Sequence, residues 1–298
     1  MIPDLNDIHA YRQWDREQVA TWPRVLADLP NMTFKRVPVP AEAGVRELML
    51  YRPDGVGGPL PVYVNLHGGG FVLGSWDPDD PYCRLLADTA GCAVVNLDYA
   101  LAPEQPFPAA IEQTYALVAW LHEHGNELGL DGARIAVGGH SAGGNIAAAV
   151  GLLAADRGRP LLRGQIIDYA PLDLATDPGA KPNPGPAADP AMRTFAVRLA
   201  RQYNAWYLAD PAEARSPLAS PLLAPSLVGL PPALVITAEY DTLRAEGDAY
   251  ARRLSDAGVL TEHVTYPDCQ HGFTHVGPAG AALDAWNRMA RFLERVLT

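Results

Sequence analysis

Residues 134–155, RIAVGGHSAGGNIAAAVGLLAA, decide the fold. The segment begins with an apolar run typical of a buried strand and ends with an Ala-rich run typical of a helix. Between them, the pattern G-x-S-x-G places Ser141 on the turn. So tight a turn strains the backbone of the serine, and the glycines two residues away on each side remove side chains that would clash. The pattern predicts a serine hydroxyl exposed above a sheet, beside the N-terminus of a helix.

The same alternation of strand and helix extends through most of the chain. Strand-like runs occur at 61–66, 92–99, 134–138, 164–169, 233–237 and 260–266, and helix-like segments at 109–124, 143–155, 243–257 and 281–297. This order predicts crossover connections and a mostly parallel sheet. Two earlier runs, 33–39 and 45–52, precede any strong helix, so we expect them to pair as an antiparallel edge. The prediction is one α/β domain over residues 1–298, with about eight strands flanked by helices.

Two regions stand outside this alternation. Residues 1–32 carry an amphipathic helical pattern that includes Trp14, Val19 and Trp22. Residues 175–232 contain a loop rich in Pro, Gly and Ala, KPNPGPAADP, followed by the helical stretch AMRTFAVRLARQYNAWYL. Insertions of this length in a compact domain often serve as lids. We expect both regions to form a helical cap over the carboxyl edge of the sheet, where α/β folds bind their ligands.

Composition excludes several classes of partner. The formal net charge of -11, with no run of Lys or Arg, disfavours nucleic acid and anionic membranes. The first 17 residues lack the apolar core of a signal peptide, and no apolar stretch reaches the roughly 18 residues of a membrane span. Cys83, Cys92 and Cys269 lack the spacing of a disulfide framework or metal site. We expect a cytoplasmic protein with a small-molecule ligand and no metal, and Cys269 as an apolar filler.

A glycine-rich loop follows the strand-like run at 61–66. Its sequence, HGGGFVLGS at residues 67–75, contains three consecutive glycines, which cost backbone entropy and so indicate a need for bare main chain. Backbone N–H groups that approach a tetrahedral intermediate stabilise its oxyanion. We assign this role to Gly69, Gly70 and, from the serine turn, Ala142. His67 is expected to orient the loop rather than to carry a proton.

A histidine near the C-terminus is the candidate general base. His271 opens the loop CQHGF just after the strand-like run that ends at Tyr266, which returns an imidazole to the carboxyl edge of the sheet, beside Ser141. His275 is the alternative, and a purely structural histidine is the remaining one.

The candidate acid lies between these two residues in sequence. The run at 233–237 leads into AEYDTLR, so Asp241 occupies a loop at a strand end. An acid there fixes the tautomer of the histidine and stabilises the imidazolium. Glu239 and Asp268 are the alternatives, each also interpretable as a solvated surface carboxylate.

Six segments together resemble the bacterial hormone-sensitive-lipase family of carboxylesterases: HGGGF, GHSAGGN, NLDYALAPEQPFPAAIEQ, YLADPAEARSPLASPLLA, AEYDTLR and HGF. The resemblance covers about residues 45–275. It implies the α/β-hydrolase fold, a Ser/Asp/His triad at Ser141, Asp241 and His271, and an N-terminal pair of cap helices. It also implies hydrolysis of short-chain esters through an acyl-serine, for which no cofactor is expected.

The chain departs from the family pattern in places. The family usually has Arg where this chain has Ala100, so Glu104 is expected to lack its ion-pair partner. His140 stands where an acid is usual, and is expected either behind the site or at the surface. The family more often has DPL than the DTL found at 241–243.

Five aromatic residues are candidates for an apolar acyl pocket. Phe71 and Trp76 follow the glycine loop, and Phe195, Trp206 and Tyr207 belong to the predicted cap. Each has an equally good interpretation as a core residue.

Other interpretations of the sequence are also open. An amidase or carbamate hydrolase would use the same triad, and a non-catalytic protein could keep the fold to bind a small molecule. A homodimer formed through the last strand is a further expectation.

Overall fold

A computed structural model of the chain describes residues 4–5, 7–21, 32, 34–185 and 190–298. Trp22 and Thr33, which the sequence analysis included in a helical pattern and a strand, lie outside the described residues, as do 186–189 of the Pro-rich loop.

The centre of the fold is one eight-stranded sheet. Its strands are β1 Phe34–Pro38, β2 Glu47–Tyr51, β3 Leu60–Leu66, β4 Ala93–Leu97, β5 Leu130–His140, β6 Gly164–Asp168, β7 Ala233–Ala238 and β8 Thr261–Tyr266. Their order is β1-β2-β4-β3-β5-β6-β7-β8. The strands from β3 onward are parallel, and β1 and β2 form an antiparallel edge. The predicted mostly parallel sheet with an antiparallel edge is confirmed.

Helices cover both faces of the sheet. They are α1 Ile8–Val19, α2 Asp80–Ala90, α3 Ala109–His124, α4 Ala142–Asp156, α5 Pro190–Tyr207, α6 Arg244–Asp256, α7 Phe273–Val276 and α8 Ala279–Val296. Buried side chains of α3, α4 and α6 form one apolar cluster with alternate residues of the strands, such as Val62 and Val64. Those of α2 and α8 form a second cluster with the intervening residues, such as Tyr63. The sheet is therefore buried on both faces, as parallel sheets require.

Among the described residues, no helix has both the length and the apolar character needed to cross a bilayer. β8 lies at the outer end of the sheet. Dimerisation through that strand stays a prediction.

Helix α2 was not predicted from the sequence. Its buried residues, Tyr82, Cys83, Leu86 and Ala87, repeat at the spacing of one helical face. The parallel pair β3 and β4 also requires a crossover, which is usually a helix. The apolar spacing could be read from the sequence, but the pairing of β3 with β4 could not.

Helices α1 and α5 pack against each other through aromatic side chains. The Tyr11 ring stacks on Trp14 and lies edge-on to Tyr203, and the hydroxyl oxygens of Tyr11 and Tyr203 are 3.0 Å apart. Trp206 completes this contact. The two regions that the sequence sets outside the alternation therefore meet in space.

Glu104 lacks the family's usual partner at position 100, but it has another ion-pair partner. Arg12, on α1, places two guanidinium nitrogens 2.8 Å from the two carboxylate oxygens of Glu104. The same guanidinium donates to the carbonyl oxygens of Val72 and Ala102. A residue from the N-terminal helix thus supplies the cation that Ala100 does not, and it fastens α1 to the segment after the glycine loop.

Candidate active site

The turn that carries Ser141 has the strain that its sequence predicts. Ser141 has φ 53° and ψ -120°, a left-handed conformation that is costly for a residue with a side chain. A Cβ added to Gly139 or Gly143 would lie 2.2 or 2.0 Å from the carbonyl oxygen of Leu66. The two glycines therefore allow the turn between β5 and α4 to press directly against the end of β3.

A continuous hydrogen-bond chain ends at the Ser141 hydroxyl. His271 Nε2 lies 3.0 Å from Ser141 Oγ, and His271 Nδ1 lies 2.7 Å from Asp241 Oδ2. The Asp241 side chain is buried and its other oxygen accepts a bond from the N–H of Leu243. Because a carboxylate only accepts, the proton of the neutral imidazole sits on Nδ1 and leaves the Nε2 lone pair facing the hydroxyl.

These three side chains come from the carboxyl ends of parallel strands. Ser141 follows β5, Asp241 follows β7, and His271 follows β8. Chain segments far apart in sequence meet there because the ends of parallel strands share one edge of the sheet.

The alternatives for acid and base have other partners. Glu239 accepts a bond from the N–H of Asp268, and Asp268 accepts one from the Tyr240 hydroxyl. His275 is buried, with its Nε2 3.1 Å from Asp79 Oδ1. The structure brings none of them into contact with Ser141.

Two opposing effects set the pKa of His271. Burial by itself lowers the pKa, but the charge of Asp241 and its hydrogen bond outweigh burial and raise it above the ordinary value of 6.5. The charge of Glu246 acts in the same direction. The His271 side chain is 42% exposed, so a bound molecule can reach Nε2.

A buried ion pair fixes the surroundings of the acid loop. Lys181 Nζ lies 3.0 Å from both carboxylate oxygens of Glu246, and the two side chains are 10% and 7% exposed. Burial raises the pKa of Glu246 to about 7, although Lys181 counteracts this. Sequence reasoning missed the pair, which ties the Pro-rich loop to α6 close to Asp241.

The glycine loop has a shape that only glycine allows. Gly69 and Gly70 have φ 124° and 59°. A Cβ on Gly69 would lie 2.4 Å from the carbonyl oxygen of Leu73, and one on Gly70 would lie 2.7 Å from the Tyr203 ring. Within the described part of the chain, no group accepts a hydrogen bond from either glycine N–H. Both donors are therefore free to bind an anion.

The third predicted donor belongs to the serine turn. Ala142 is the first residue of α4, where backbone N–H groups have no partner within the helix. Its N–H follows Ser141 directly, at the positive end of the helix dipole. That Gly69, Gly70 and Ala142 bind one oxyanion stays a prediction.

A cleft of about 340 Å³ lies beside Ser141, His271 and the glycine loop. It is lined by the glycine loop, Ser141, His271 and a few larger side chains, namely Val19, Leu73, Pro78, Asp79, His140, Tyr169, Leu199, Tyr203 and His275. A second cavity of about 660 Å³ lies between α1 and residues 72–78, and six residues line both cavities: Asp15, Val19, Leu73, Gly74, Ser75 and Pro78. Helices α1 and α5 therefore both contribute walls to the cleft.

The aromatic residues predicted for the acyl pocket do not line this cleft in the described structure. Phe71 and Tyr207 stack on each other in the core, with ring centroids 3.8 Å apart. Trp76 packs on Phe34, at the antiparallel edge. These residues are close in sequence to the glycine loop or to the predicted cap, but that position does not determine the direction of their side chains.

The other two aromatics of that prediction also pack elsewhere. Trp206 contacts Tyr11 and Tyr203, and Phe195 packs against the apolar cluster that contains α3 and α4. Tyr203, one helical turn from Trp206, reaches the cleft instead. The sequence signal was present, because Leu199 and Tyr203 lie four residues apart on one face of α5.

Sequence reasoning also missed a polar cluster behind the glycine loop. Asp79, His140 and His275 each offer a ligand atom, and these atoms lie within 4.8 Å of one another. Within the described residues they are the set that could hold a metal ion, although Asp79 already accepts bonds from His275 and Asn65. Asp79 lies in an acidic stretch, DPDD, that gives no sign of burial in the sequence. Cys269, as expected, is a buried apolar filler.

The chain is similar to known esterases over most of its length. A family profile described as alpha/beta hydrolase fold matches residues 63–275. Carboxylesterase NlhH of Mycobacterium tuberculosis is 39% identical over 254 residues, which are 83% of this chain and 77% of that protein. Ethyl acetate hydrolase of Pseudomonas putida is 35% identical over 239 residues, 76% of this chain and 71% of that protein.

Solved structures give the same result. A thermostable esterase from Pseudomonas putida ECU1011 superposes with a TM-score of 0.84 at 33% identity, over 99% of this chain and 92% of that one.

We expect the imidazole pKa of His271 to exceed 6.5, because Asp241 stabilises the charged form. The unprotonated form, which can accept a proton from Ser141, is then lost as the pH falls through that raised pKa. In Asp241→Asn the His271 pKa should decrease. Titration of the ring resonances by NMR, assigned with His271→Gln, measures both values.

The matched control is Asp248→Asn, because Asp248 Oδ1 lies 3.0 Å from His263 Nε2. It should leave the His271 titration unchanged. A His271 pKa that does not respond to Asp241→Asn would contradict this account of the site.

Proposed function

The chain belongs to the α/β-hydrolase family, in its hormone-sensitive-lipase-like branch, and from that membership we propose that it hydrolyses short-chain esters through an acyl intermediate on Ser141. It is a carboxylic ester hydrolase. The observation that carries the proposed mechanism is the chain of hydrogen bonds from Asp241 through His271 to the Ser141 hydroxyl.

The first half of the reaction acylates the enzyme. Ser141 Oγ attacks the ester carbonyl carbon while His271 Nε2 takes the hydroxyl proton. The carbonyl oxygen becomes an oxyanion, which the N–H groups of Gly69, Gly70 and Ala142 bind. As the tetrahedral intermediate collapses, the imidazolium of His271 gives its proton to the departing alcohol, and acyl-Ser141 remains.

The second half releases the acid. A water molecule gives a proton to His271 Nε2 and attacks the acyl carbon, which forms a second oxyanion in the same place. The intermediate then breaks at the serine oxygen, and the proton on His271 returns to Ser141. Asp241 stays ionised throughout and stabilises the imidazolium that forms twice in each cycle.

Charge stabilisation at the glycine loop is the largest single contribution that we assign. Removing one donor from such a site costs about 3 kcal/mol in the transition state. The N–H groups of Gly69 and Gly70 have no competing acceptor in the described chain, so no internal hydrogen bond has to break before they bind the developing charge. This availability supports a role as oxyanion donors.

The size of the cleft supports a preference for short acyl chains. Its volume of about 340 Å³ is near the lower end of ligand pockets, and Leu199 and Tyr203 of α5 line it. The relative named ethyl acetate hydrolase supports the same substrate class. We further propose that α1 and α5 act as the cap that bounds this space.

Replacing Ser141 with Ala should reduce turnover of p-nitrophenyl butyrate by about 10⁴-fold or more, because the variant cannot form the acyl-enzyme. The control is Ser75→Ala, since Ser75 lines the same cleft outside the proposed triad. Initial rates at saturating substrate measure the effect. Turnover at the wild-type rate in Ser141→Ala would end the proposal.

A series of p-nitrophenyl esters from two to sixteen acyl carbons tests the substrate class. We expect kcat/KM to peak at about six carbons or fewer, because longer chains exceed the cleft beside Ser141. The measurement is made below the critical micelle concentration of each ester. A maximum at sixteen carbons would contradict the short-chain proposal and leave ester hydrolysis itself intact.

A further inference from the structure

Both polar backbone groups of Gly68 are held by histidines. The N–H of Gly68 donates to His140 Nε2 over 2.8 Å, and His67 Nδ1 donates to the Gly68 carbonyl oxygen over 2.7 Å. The carbonyl of Gly68 and the N–H of Gly69 belong to one planar peptide unit and point in opposite directions. Holding Gly68 on both sides therefore fixes the direction of the Gly69 N–H.

The bond to Gly68 determines the protonation of His140. A backbone N–H can only donate, so His140 Nε2 must present a lone pair, and the proton of the neutral ring is on Nδ1. His140 Nδ1 is buried, and it has no hydrogen-bond partner within the described residues. It faces Asp79 Oδ2 at 3.7 Å. The tautomer leaves Nδ1 no free lone pair for a metal ion.

Asp79 is a rigid support for this ring. Its side chain is 1% exposed. Asn65 Nδ2 donates to Asp79 Oδ2 over 2.7 Å, and His275 Nε2 lies 3.1 Å from Oδ1. The rings of His140 and His275 are in contact, with centroids 4.0 Å apart. The carboxylate and the second ring leave His140 little room to move.

Packing between His140 and the glycine loop is equally close. A Cβ on Gly68 would lie 2.7 Å from His140 Cδ2 and 2.8 Å from Nε2. The imidazole therefore occupies the space that any larger residue at 68 would need. This contact, and not loop flexibility, accounts for the first glycine of the three.

We propose that His140 is a positioning residue for ester hydrolysis, which holds Gly68 so that the adjacent N–H groups of Gly69 and Gly70 meet the oxyanion. The inference rests on the function proposed above. His140 acts through the loop and does not touch the reacting atoms. His140 thus lies between the buried Asp79 carboxylate, 3.7 Å from its Nδ1, and the Gly68 N–H, which donates to its Nε2.

The electrostatic surroundings keep the required nitrogen unprotonated. Burial lowers the pKa of His140 to about 3, and the neighbouring His275, His67 and His271 also lower it, while Asp79 raises it. The Tyr169 ring, the other group that faces His140, packs edge-on against it. His140 therefore keeps its acceptor over the range in which His271 titrates.

Two amide variants separate the effect of the hydrogen bond to Gly68 from the effect of removing the imidazole ring. His140→Gln places an amide oxygen near the position of Nε2 and can still accept from Gly68. His140→Asn reaches only as far as Nδ1 and cannot. With p-nitrophenyl butyrate we expect His140→Gln to stay within about threefold of the wild-type kcat. We expect His140→Asn to lose about 10-fold to 100-fold in kcat at nearly unchanged KM.

A transition-state analogue provides the second measurement. A short trifluoromethyl ketone forms an oxyanion on the serine. Its affinity should fall in His140→Asn by the same factor as kcat, and should be unchanged in His140→Gln. The inference would be overturned if His140→Gln and His140→Asn had equal kcat values, or if His140→Asn differed from wild type only in KM.

Hydrogen exchange at the Gly68 amide distinguishes this inference from the function on which it rests. The Gly68 amide should be protected in wild type and in His140→Gln, and should exchange faster in His140→Asn, whether or not any ester is hydrolysed. If the Gly68 amide exchanges faster in His140→Asn but wild type hydrolyses no ester, the proposed function is wrong and the contact between His140 and Gly68 is supported. Equal protection in all three proteins would refute the contact.

Discussion

The site depends on how closely the serine turn approaches the end of β3. Gly139 and Gly143 both lie so near the carbonyl oxygen of Leu66 that neither could carry a side chain. That contact holds Ser141 in its strained conformation and brings the N-terminus of α4 beside the loop that follows β3. The Ser141 hydroxyl and the backbone N–H groups of the glycine loop come together because these two segments of main chain touch. The strain is offset by the buried sheet on either side, in which β3 and β5 are neighbours.

The two histidines beside Ser141 have opposite electrostatic surroundings. Asp241 raises the pKa of His271, which suits the proton transfer that we propose for this ring. Burial lowers the pKa of His140, which suits the neutral ring that we propose holds Gly68. Each ring faces a buried aspartate. His271 Nδ1 lies 2.7 Å from Asp241 Oδ2, and His140 Nδ1 lies 3.7 Å from Asp79 Oδ2. The longer distance fits a ring that never becomes charged, because a close carboxylate would favour the imidazolium.

Local patterns in the sequence predicted what depends on local structure. The strands, the serine turn and the loops after β7 and β8 were all readable, because strand ends in a parallel sheet share one edge. Contacts between distant segments were not. The partner of Glu104 comes from α1, and the partners of His140 come from the connection between β3 and α2. The orientation of Phe71 and Tyr207 was unreadable for the same reason, since packing against the core and not chain position decides it.

Labelling with a fluorophosphonate tests the central claim most directly, because this reagent reacts with a serine only when a base and an oxyanion site activate it. The tryptic peptide 135–157 contains Ser141 as its only serine, so peptide mass identifies the labelled position. The account predicts one adduct, on this peptide, in the folded protein and none after denaturation. An unreactive folded protein, or an adduct on a different serine, would contradict it.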